Sequence, residues 1–314
     1  MTGVDKGPVS GSPRRRFKSL NRGKSLHGNP LLLPIAYTVA ASVEGLSINE
    51  FLQNPTKQAN GLTALHDVLK TDGIVCFVSA GAEAETLSAM LEWGSYQPQV
   101  VAPSKLTIAD NVGELLKKHP RIQIGVDVLT RLSITVTGDP LLVVVISGPA
   151  TLSAQLVGDD NIAETLDQCG RVVCETARIF GENGAHVIMI EENVLPLLQS
   201  EEDYQIWQTS LLPAINVARF YHALPVLVPL RSNAVLARRF SAGVSGNPLI
   251  CESDESDNKV VQPKAYLLAG TPVEWRNPSR PVSLLTSTGE ISPGCDIADL
   301  LQACVRIRRG FASA

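Results

Sequence analysis

The chain of 314 residues is long enough for one large α/β barrel or two modest domains, and either would bury a sizeable core. Its formal net charge of -4 gives no reason to expect nucleic acid as a partner. No apolar run approaches the roughly eighteen residues that cross a bilayer, and no signal-type apolar segment follows the basic start. We therefore expect a cytoplasmic protein with no membrane partner.

The start of the chain differs in charge from the remainder. Residues 1–30 hold seven Lys or Arg, including Arg14, Arg15 and Arg16, against the single Asp5. This segment is rich in Gly, Ser and Pro and has no apolar periodicity, which is typical of a solvated arm. We expect a disordered basic arm over residues 1–16 and one folded domain over residues 17–314.

Eight apolar runs with the length of strands alternate with helical or loop segments. The expected strands are Leu31–Ala36, Gly73–Val78, Leu141–Ile146, Ala185–Ile190, Pro225–Val228, Pro248–Cys251, Ala265–Leu268 and Pro281–Leu285. Helix starts are predicted by three capping signals, which are Ser47 with Glu50, Asn54 with Pro55, and Ser200 with Asp203. The alternation predicts a (β/α)8 TIM barrel of parallel strands, with an insertion over Glu83 to Arg131 between strands two and three.

The stretch from Pro140 to Asn193 is the strongest support for a parallel sheet. The run LLVVVIS at 141–147 is continuously apolar, as expected of a strand buried on both faces. It stops at Gly148-Pro149, and a helical pattern then leads to a second apolar run, AHVIMI, at 185–190. This is a βαβ unit, and such units make parallel sheets.

Polar residues follow several of these strands, at the carboxyl ends where parallel α/β folds carry their chemistry. The candidate catalytic residues are Glu191, Glu192 and Glu290. The candidate substrate-binding residues are Ser79, Ser147, Gly148, Asn193, Arg231 and Cys251. Carboxylates that face an arginine across a barrel mouth suit binding and protonation of a small anionic or methoxylated substrate. The alternative for the glutamate pair is a helix cap or a surface acid, and at most one of the two can face the mouth because neighbours on a strand point in opposite directions.

The sequence offers little for a metal site. Its six cysteines form no CxxC pair and lie mainly in apolar contexts, so reduced and buried thiols are expected. None of the five histidines pairs with another at ligand spacing. We expect no metal.

Five segments, in order and spacing, resemble the uroporphyrinogen decarboxylase superfamily over nearly the whole chain after Arg16. They are GIVCFV (73–78), GAEAETLSAMLEWGSYQPQV (81–100), SGPATLSAQLVG (147–158), GRVVCETARIFGENGAHVIMIEEN (170–193) and LLTSTGEISPGCDIADLLQACVRIR (284–308). This superfamily contains porphyrinogen decarboxylases and zinc-dependent methyltransferases that serve corrinoid proteins, all on a (β/α)8 barrel. The segments RRRFKSLNRGKSLHGNPLLLP (14–34) and EAETLSAMLEWGSYQP (83–98) are more similar to the methyltransferase branch. Glu83 and Glu85 fit the family's acidic segment, with a helix cap as the alternative for one of them.

The porphyrinogen branch implies residues that this chain lacks. Its arginine-rich segment after the first strand corresponds to YTVAASVEG at 37–45, and no arginine occurs between Arg22 and Arg121. Its aspartate after strand two falls at Ser79, and its tyrosine after the GPxT turn falls at Gln155. A substrate with many carboxylates would find no matching cations, so uroporphyrinogen is not expected to bind.

The methyltransferase branch implies zinc ligands, a His-x-Cys after the fifth strand and a Cys after the eighth. The matching positions carry Val228, Leu230 and Glu290. Aliphatic side chains cannot coordinate a metal, so zinc is not expected at the family position.

Three functions remain open. The resemblance favours a methyl or one-carbon transferase of the demethylation type, linked to the corrinoid of a partner protein and lacking the usual zinc site. The alternatives are a lyase (decarboxylase) of a small carboxylic acid, with Arg231 as anchor and a Glu as proton donor, and a non-catalytic partner subunit of a methyltransferase. The expected partners are a small-molecule substrate, a corrinoid protein or methyltransferase subunit, and a second copy of the chain in a homodimer.

Overall fold

Eight parallel strands form one sheet that curls into a nearly closed barrel in a computed structural model of the chain. The structure describes residues 11–26, 28–93, 98–102, 111–158, 162–195, 198, 200–230, 248–252, 265–279 and 281–312. The strands are β1 (Leu31–Leu32), β2 (Gly73–Val78), β3 (Met90–Trp93), β4 (Pro98–Ala102), β5 (Leu141–Ser147), β6 (Val187–Glu192), β7 (Leu224–Pro229), β8 (Leu249–Glu252), β9 (Ala265–Leu268) and β10 (Leu284–Ser287). The predicted (β/α)8 fold is confirmed, and the barrel order is β1-β10-β9-β8-β7-β6-β5-β2.

Helices connect the barrel strands. They are α1 (Pro13–Asn21), α2 (Val39–Val43), α3 (Ile48–Gln53), α4 (Pro55–Leu69), α5 (Ala82–Thr86), α6 (Val112–Lys118), α7 (Pro120–Thr135), α8 (Pro149–Val157), α9 (Ile162–Glu182), α10 (Glu201–Phe220) and α11 (Ile297–Ala312). All three predicted caps are confirmed, because the side chains of Ser47, Asn54 and Ser200 accept hydrogen bonds from the first turns of α3, α4 and α10. Within the described residues, every helix is too short or too polar to cross a membrane.

The ends of the first and last barrel strands differ from the prediction. β1 spans two residues rather than six, and Pro34, which has no N–H to donate to a neighbouring strand, follows soon after it. β10 starts at Leu284 rather than Pro281, for the same reason at its first residue. Both differences move a strand boundary without changing the barrel.

The long connection between β2 and β5 contains the predicted insertion. It holds α5, the antiparallel hairpin of β3 and β4, and α6. The last element of the connection, α7, packs against both β2 and β5. α7 is therefore the regular crossover helix, so the insertion ends before it rather than at Arg131.

The seam between β1 and β2 is closed by Asp72 instead of a strand ladder. The backbone N of Asp72 donates to Leu32 O at 3.1 Å, and Leu32 N donates to the Asp72 carboxylate at 2.8 Å. Leu141 N donates to Asp72 O at 2.9 Å on the other side. One residue thus links three strands at the amino end of the barrel.

The expected boundary of a disordered arm at residue 16 is wrong. α1 begins at Pro13, and Phe17 and Leu20 on its inner face are buried. Arg16 is 5% exposed, and its guanidinium binds the carboxylate of Asp72 and donates to Pro30 O at 3.0 Å. The ordering force is this buried ion pair together with the apolar face of α1. Residues 1–10 lie outside the described residues.

Candidate functional site

The pairing of the strands decides which side chains face the barrel interior at its carboxyl end. Ser147 on β5 lies opposite Glu191 on β6, and Glu191 lies opposite Val228 on β7. Residues paired in this way project from the same face of a sheet, as do residues two apart on one strand. Met189, two residues before Glu191, receives a hydrogen bond from Thr286 of β10 at 3.8 Å across the barrel. Ser147, Glu191 and Val228 therefore project into the mouth.

Glu290, just after β10, reaches the same space from the opposite side. Its carboxylate accepts a hydrogen bond from the backbone N of Thr38 at 2.6 Å. A Cβ added to Gly289 would lie 3.7 Å from the side chain of Leu230, so Leu230 borders this turn. The mouth thus combines two carboxyl groups with aliphatic side chains.

Both carboxyl groups have strongly shifted pKa values. Burial raises the pKa of Glu191 to about 7. Burial raises the pKa of Glu290 to about 8, and the charge of Glu191 adds to the effect. Removal of water penalises a charged carboxylate, and a second carboxylate nearby penalises it further. At neutral pH the pair therefore holds a proton on at least one of its members.

Glu83 on α5 adds a third carboxyl group, which was predicted only as a family position or a helix cap. Its side chain is fully buried, and it accepts a hydrogen bond from Ser79 Oγ. Ser79 Oγ lies 3.3 Å from Ser147 Oγ, which places Glu83 next to the residues of the mouth. Burial raises the pKa of Glu83 to about 7. The local signal for this role is an acid among alanines, Ala82 and Ala84, directly after a buried strand.

Three buried carboxyl oxygens are left without partners. The Oε1 atoms of Glu83 and Glu191 and the Oε2 atom of Glu290 have no hydrogen-bond partner in the part of the chain that the structure describes. The same holds for Thr38 Oγ1. Buried polar atoms are normally paired, so these atoms are ready to receive a ligand.

Arg121 fixes the backbone beside Glu83. It donates to Ser79 O at 2.8 Å and to Ala80 O at 3.2 Å. Its charge acts to lower the pKa of Glu83, against the larger effect of burial. The end of β2 is thereby held in place by a cation that is itself engaged with backbone carbonyls.

Glu192 points away from the mouth. Its carboxylate accepts hydrogen bonds from Ala150 N at 3.1 Å, Thr151 N at 2.8 Å, Thr151 Oγ1 at 2.9 Å and Trp207 Nε1 at 2.6 Å. These donors belong to the first turn of α8 and to α10. Glu192 therefore joins β6 to α8 and α10, and its carboxylate does not face the mouth as a catalytic group would.

Gly148 leaves room for the side chain of Glu192. A Cβ at this position would lie 2.3 Å from the carboxyl carbon of Glu192, so only glycine leaves room for the buried carboxylate. The predicted contact of Gly148 with substrate stays a prediction. Asn193 is likewise held on the α8 side, since its backbone N donates to Thr151 Oγ1 at 2.9 Å.

The other predicted residues lie as follows. Ser147 lies opposite Glu191 at the mouth, and Ser79 lies beside Ser147. Cys251 is buried at the end of β8, beside Ala265 of β9. Arg231 lies outside the described residues.

The residues at the family's zinc positions do not fit zinc. Val228 faces inward from β7, and Leu230 is the first residue after this strand. Glu290 follows Gly289, whose turn Leu230 borders. Two of these three side chains have no lone pairs to offer a metal. Among the described residues, no group of three His, Cys, Asp or Glu side chains is arranged to hold a metal ion.

Comparisons with known proteins agree with this architecture. No curated protein sequence matches the chain. A solved structure of a methyltransferase from Methanosarcina mazei superposes with a TM-score of 0.75 over 96% of this chain and 99% of that one, at 16% identity, a likeness of fold. The sequence profile of uroporphyrinogen decarboxylase (URO-D) matches residues 12–226. The chain therefore belongs to the uroporphyrinogen decarboxylase family.

Proposed function

We propose that the protein is a methyl or one-carbon transferase of the demethylation type, which removes a methyl group from a small donor without the usual zinc site. Its acceptor is the corrinoid of a partner protein. Family membership and the shared fold with a methyltransferase support the proposal. The observation that carries it is the position of Glu191 and Glu290 at the barrel mouth, each with a buried carboxyl oxygen that has no partner among the described residues.

Such a pair suits the charge changes of methyl transfer. When the methyl group leaves, its former partner atom keeps the bonding electron pair and becomes more basic. Two carboxyl groups whose pKa values burial raises to about 7 and about 8 provide an acid and a carboxylate together near neutral pH. The carboxylate binds the donor, and the acid gives a proton to the departing atom.

The remaining residues of the mouth shape the space for the methyl group. Val228 and Leu230 present aliphatic surface beside the carboxyl groups, which excludes water and orients a methyl substituent. A corrinoid supplies a strongly nucleophilic cobalt, and it would reach the methyl group from the carboxyl end of the barrel. The carboxyl groups of the site are suited to binding the methyl donor, while the corrinoid would stay bound to its own protein.

A decarboxylase is the second candidate, because an acid is also what a decarboxylated carbanion needs. Against it, three carboxyl groups converge on the site, and they would repel a substrate carboxylate. Arg231, its predicted anchor, lies outside the described residues. The two reactions are separated by their products, since only the decarboxylase releases carbon dioxide.

The test follows methyl transfer to free cob(I)alamin through the loss of its absorbance, with panels of methyl ethers, thioethers and methylated amines. We expect turnover with at least one donor, and a fall in kcat/KM of about 100-fold or more in Glu191→Gln and Glu290→Gln. Glu164→Gln, which changes an exposed acid on α9, is the matched control. Chelator-treated protein should keep its rate.

Three results would contradict the proposal. They are turnover that both variants leave intact, turnover that rises and falls with bound zinc, and release of carbon dioxide from small carboxylic acids without methyl transfer. The last result would establish the lyase. Absence of both reactions with any donor would favour the non-catalytic subunit.

A further inference from the structure

We propose that the methyl donor is an alkylammonium cation, held between Glu191 and Glu290 with its N-methyl groups against Val228 and Leu230. This inference rests on the proposed function and specifies its substrate class. The unpaired oxygens of the mouth and the aliphatic residues beside its carboxyl groups support it.

The unpaired oxygens of the mouth favour a positively charged ligand. Oε1 of Glu191, Oε2 of Glu290 and Oε1 of the fully buried Glu83 lack hydrogen-bond partners among the described residues. A buried acceptor without a partner costs free energy, more so when it is charged. An ether oxygen pairs only with a protonated carboxyl group, and a substrate carboxylate is repelled by an ionised one, whereas an ammonium cation compensates ionised carboxylates by its charge.

The side chains of the mouth favour an organic cation over a metal ion. Glu191 pairs with Val228, and Glu290 follows Gly289, whose turn Leu230 borders, so both carboxyl groups lie by the end of β7. Within the described chain, however, no three ligand side chains come close enough together to hold a metal. An alkylammonium needs no such set of ligand atoms, because its charge is spread over a nitrogen and its attached carbons.

The walls of the mouth match the methyl groups of such a cation. Val228 is the strand neighbour of Glu191, and Leu230 borders the turn of Glu290. The thioether of Met189 lies one step deeper in the barrel. The mouth thus has carboxylates for the charge of the cation and apolar side chains for its methyl groups. A metal ion would need no such apolar side chains.

The transfer step balances with these groups. The C–N bond breaks and its electron pair stays on nitrogen, while the acceptor provides the pair for the new bond to the methyl carbon. A quaternary ammonium thus becomes a neutral amine. The protonated member of the glutamate pair then gives its proton to that amine, which leaves as an ammonium ion.

Cation binding should be coupled to release of protons. The carboxyl groups near the mouth titrate at about 7 for Glu83 and Glu191 and about 8 for Glu290, so a bound cation favours their ionised forms. The other titratable neighbours are Tyr37, whose pKa is raised far above its usual range by burial, Cys76, whose pKa burial raises to about 12, and the cationic Arg121. Among these described groups, only the carboxyls change charge between about pH 6 and 8.5.

The test compares choline with 3,3-dimethylbutan-1-ol, its neutral isostere, by isothermal titration calorimetry on the full chain. At pH 8 we expect choline to bind at least about tenfold more tightly than the isostere, and Glu191→Gln and Glu290→Gln each to weaken choline at least about tenfold. Glu164→Gln should bind as the unmodified protein does. Choline affinity should rise from pH 6 to 8, with proton release seen as a dependence of the heat on the buffer.

Equal affinity for the two probes, no binding of choline, or choline binding that neither variant weakens would overturn the inference. Because no methyl transfer is measured, this outcome differs from failure of the proposed function, which would appear as absence of turnover with every donor. Circular dichroism of each variant shows whether it is folded.

Discussion

Glu191 and Glu192, which are adjacent at the end of β6, have different roles because their side chains point in opposite directions. The Glu192 carboxylate receives four hydrogen bonds from α8 and α10. Glu191 faces the mouth, and its Oε1 has no partner in the described structure. Burial raises the pKa of both, but only in Glu192 do several donors oppose that shift. Glu192 thus joins three elements through hydrogen bonds, whereas Glu191 is a candidate acid.

Glu290→Gln should make the protein more stable at alkaline pH. The folded pKa of Glu290 lies at about 8, above the usual glutamate value, so the folded state binds a proton that the unfolded state releases from about pH 4.5 upward. The unfolding free energy therefore falls as pH rises through this window. Glutamine cannot ionise, and at pH 8.5 the variant should gain on the order of 1 to 3 kcal/mol.

Urea unfolding at pH 5.5 and pH 8.5 measures this effect. The unmodified protein and Glu164→Gln should lose stability between the two values, and Glu290→Gln should lose less. An identical pH slope in all three proteins would show that Glu290 does not titrate as described. A gain in stability together with a loss of activity is expected of a group kept for function.

At the scale of elements, the site depends on how α8 begins. The N–H groups at the start of a helix have no partner within it, and here Ala150 N and Thr151 N donate to the Glu192 side chain of β6. The indole of Trp207 adds α10 to the same carboxylate. Because Glu191 is the adjacent residue, this joint sets the position from which it enters the mouth.

Glu192→Ala should therefore cost about 3 to 5 kcal/mol of stability, since it leaves several buried donors unpaired. Thr151→Val removes a single hydroxyl donor and keeps the backbone one, so about 1 to 2 kcal/mol is expected. Chemical denaturation of both variants checks the ratio. Equal losses would mean that Glu192 does not join the three elements.

At the scale of the whole molecule, local patterns predict the barrel but not the pairs that close it. The eight apolar runs and the caps at Ser47, Asn54 and Ser200 are properties of short segments, and they are confirmed. The burial of Glu83 and the ion pair of Arg16 with Asp72 depend on contacts between residues far apart in the sequence, which local patterns do not predict. The charge run at Arg14 to Arg16 resembles a solvated arm until its distant partner is known.

The Arg16 pair shows how strongly the barrel depends on such a contact. Asp72 bonds β1, β2 and β5 together, and Arg16 of α1 neutralises its buried carboxylate. Arg308 of α11 also reaches this carboxylate, at 3.6 Å, but its side chain is more exposed. Arg16 is therefore the main compensating charge, and α1 is part of the barrel's closure.

Arg16→Met should lower the unfolding free energy by about 3 to 5 kcal/mol, because the change leaves Asp72 buried with only the more distant Arg308. Arg15→Met, the same substitution at an exposed neighbour on α1, should change it by less than about 0.5 kcal/mol. Urea denaturation followed by tryptophan fluorescence measures both. Since Trp207 and Trp275 are buried in different parts of the barrel, a loss confined to α1 would leave their transition in place, whereas loss of the seam should shift it to lower urea. A transition at the same urea concentration in both variants would show that the seam holds without Arg16.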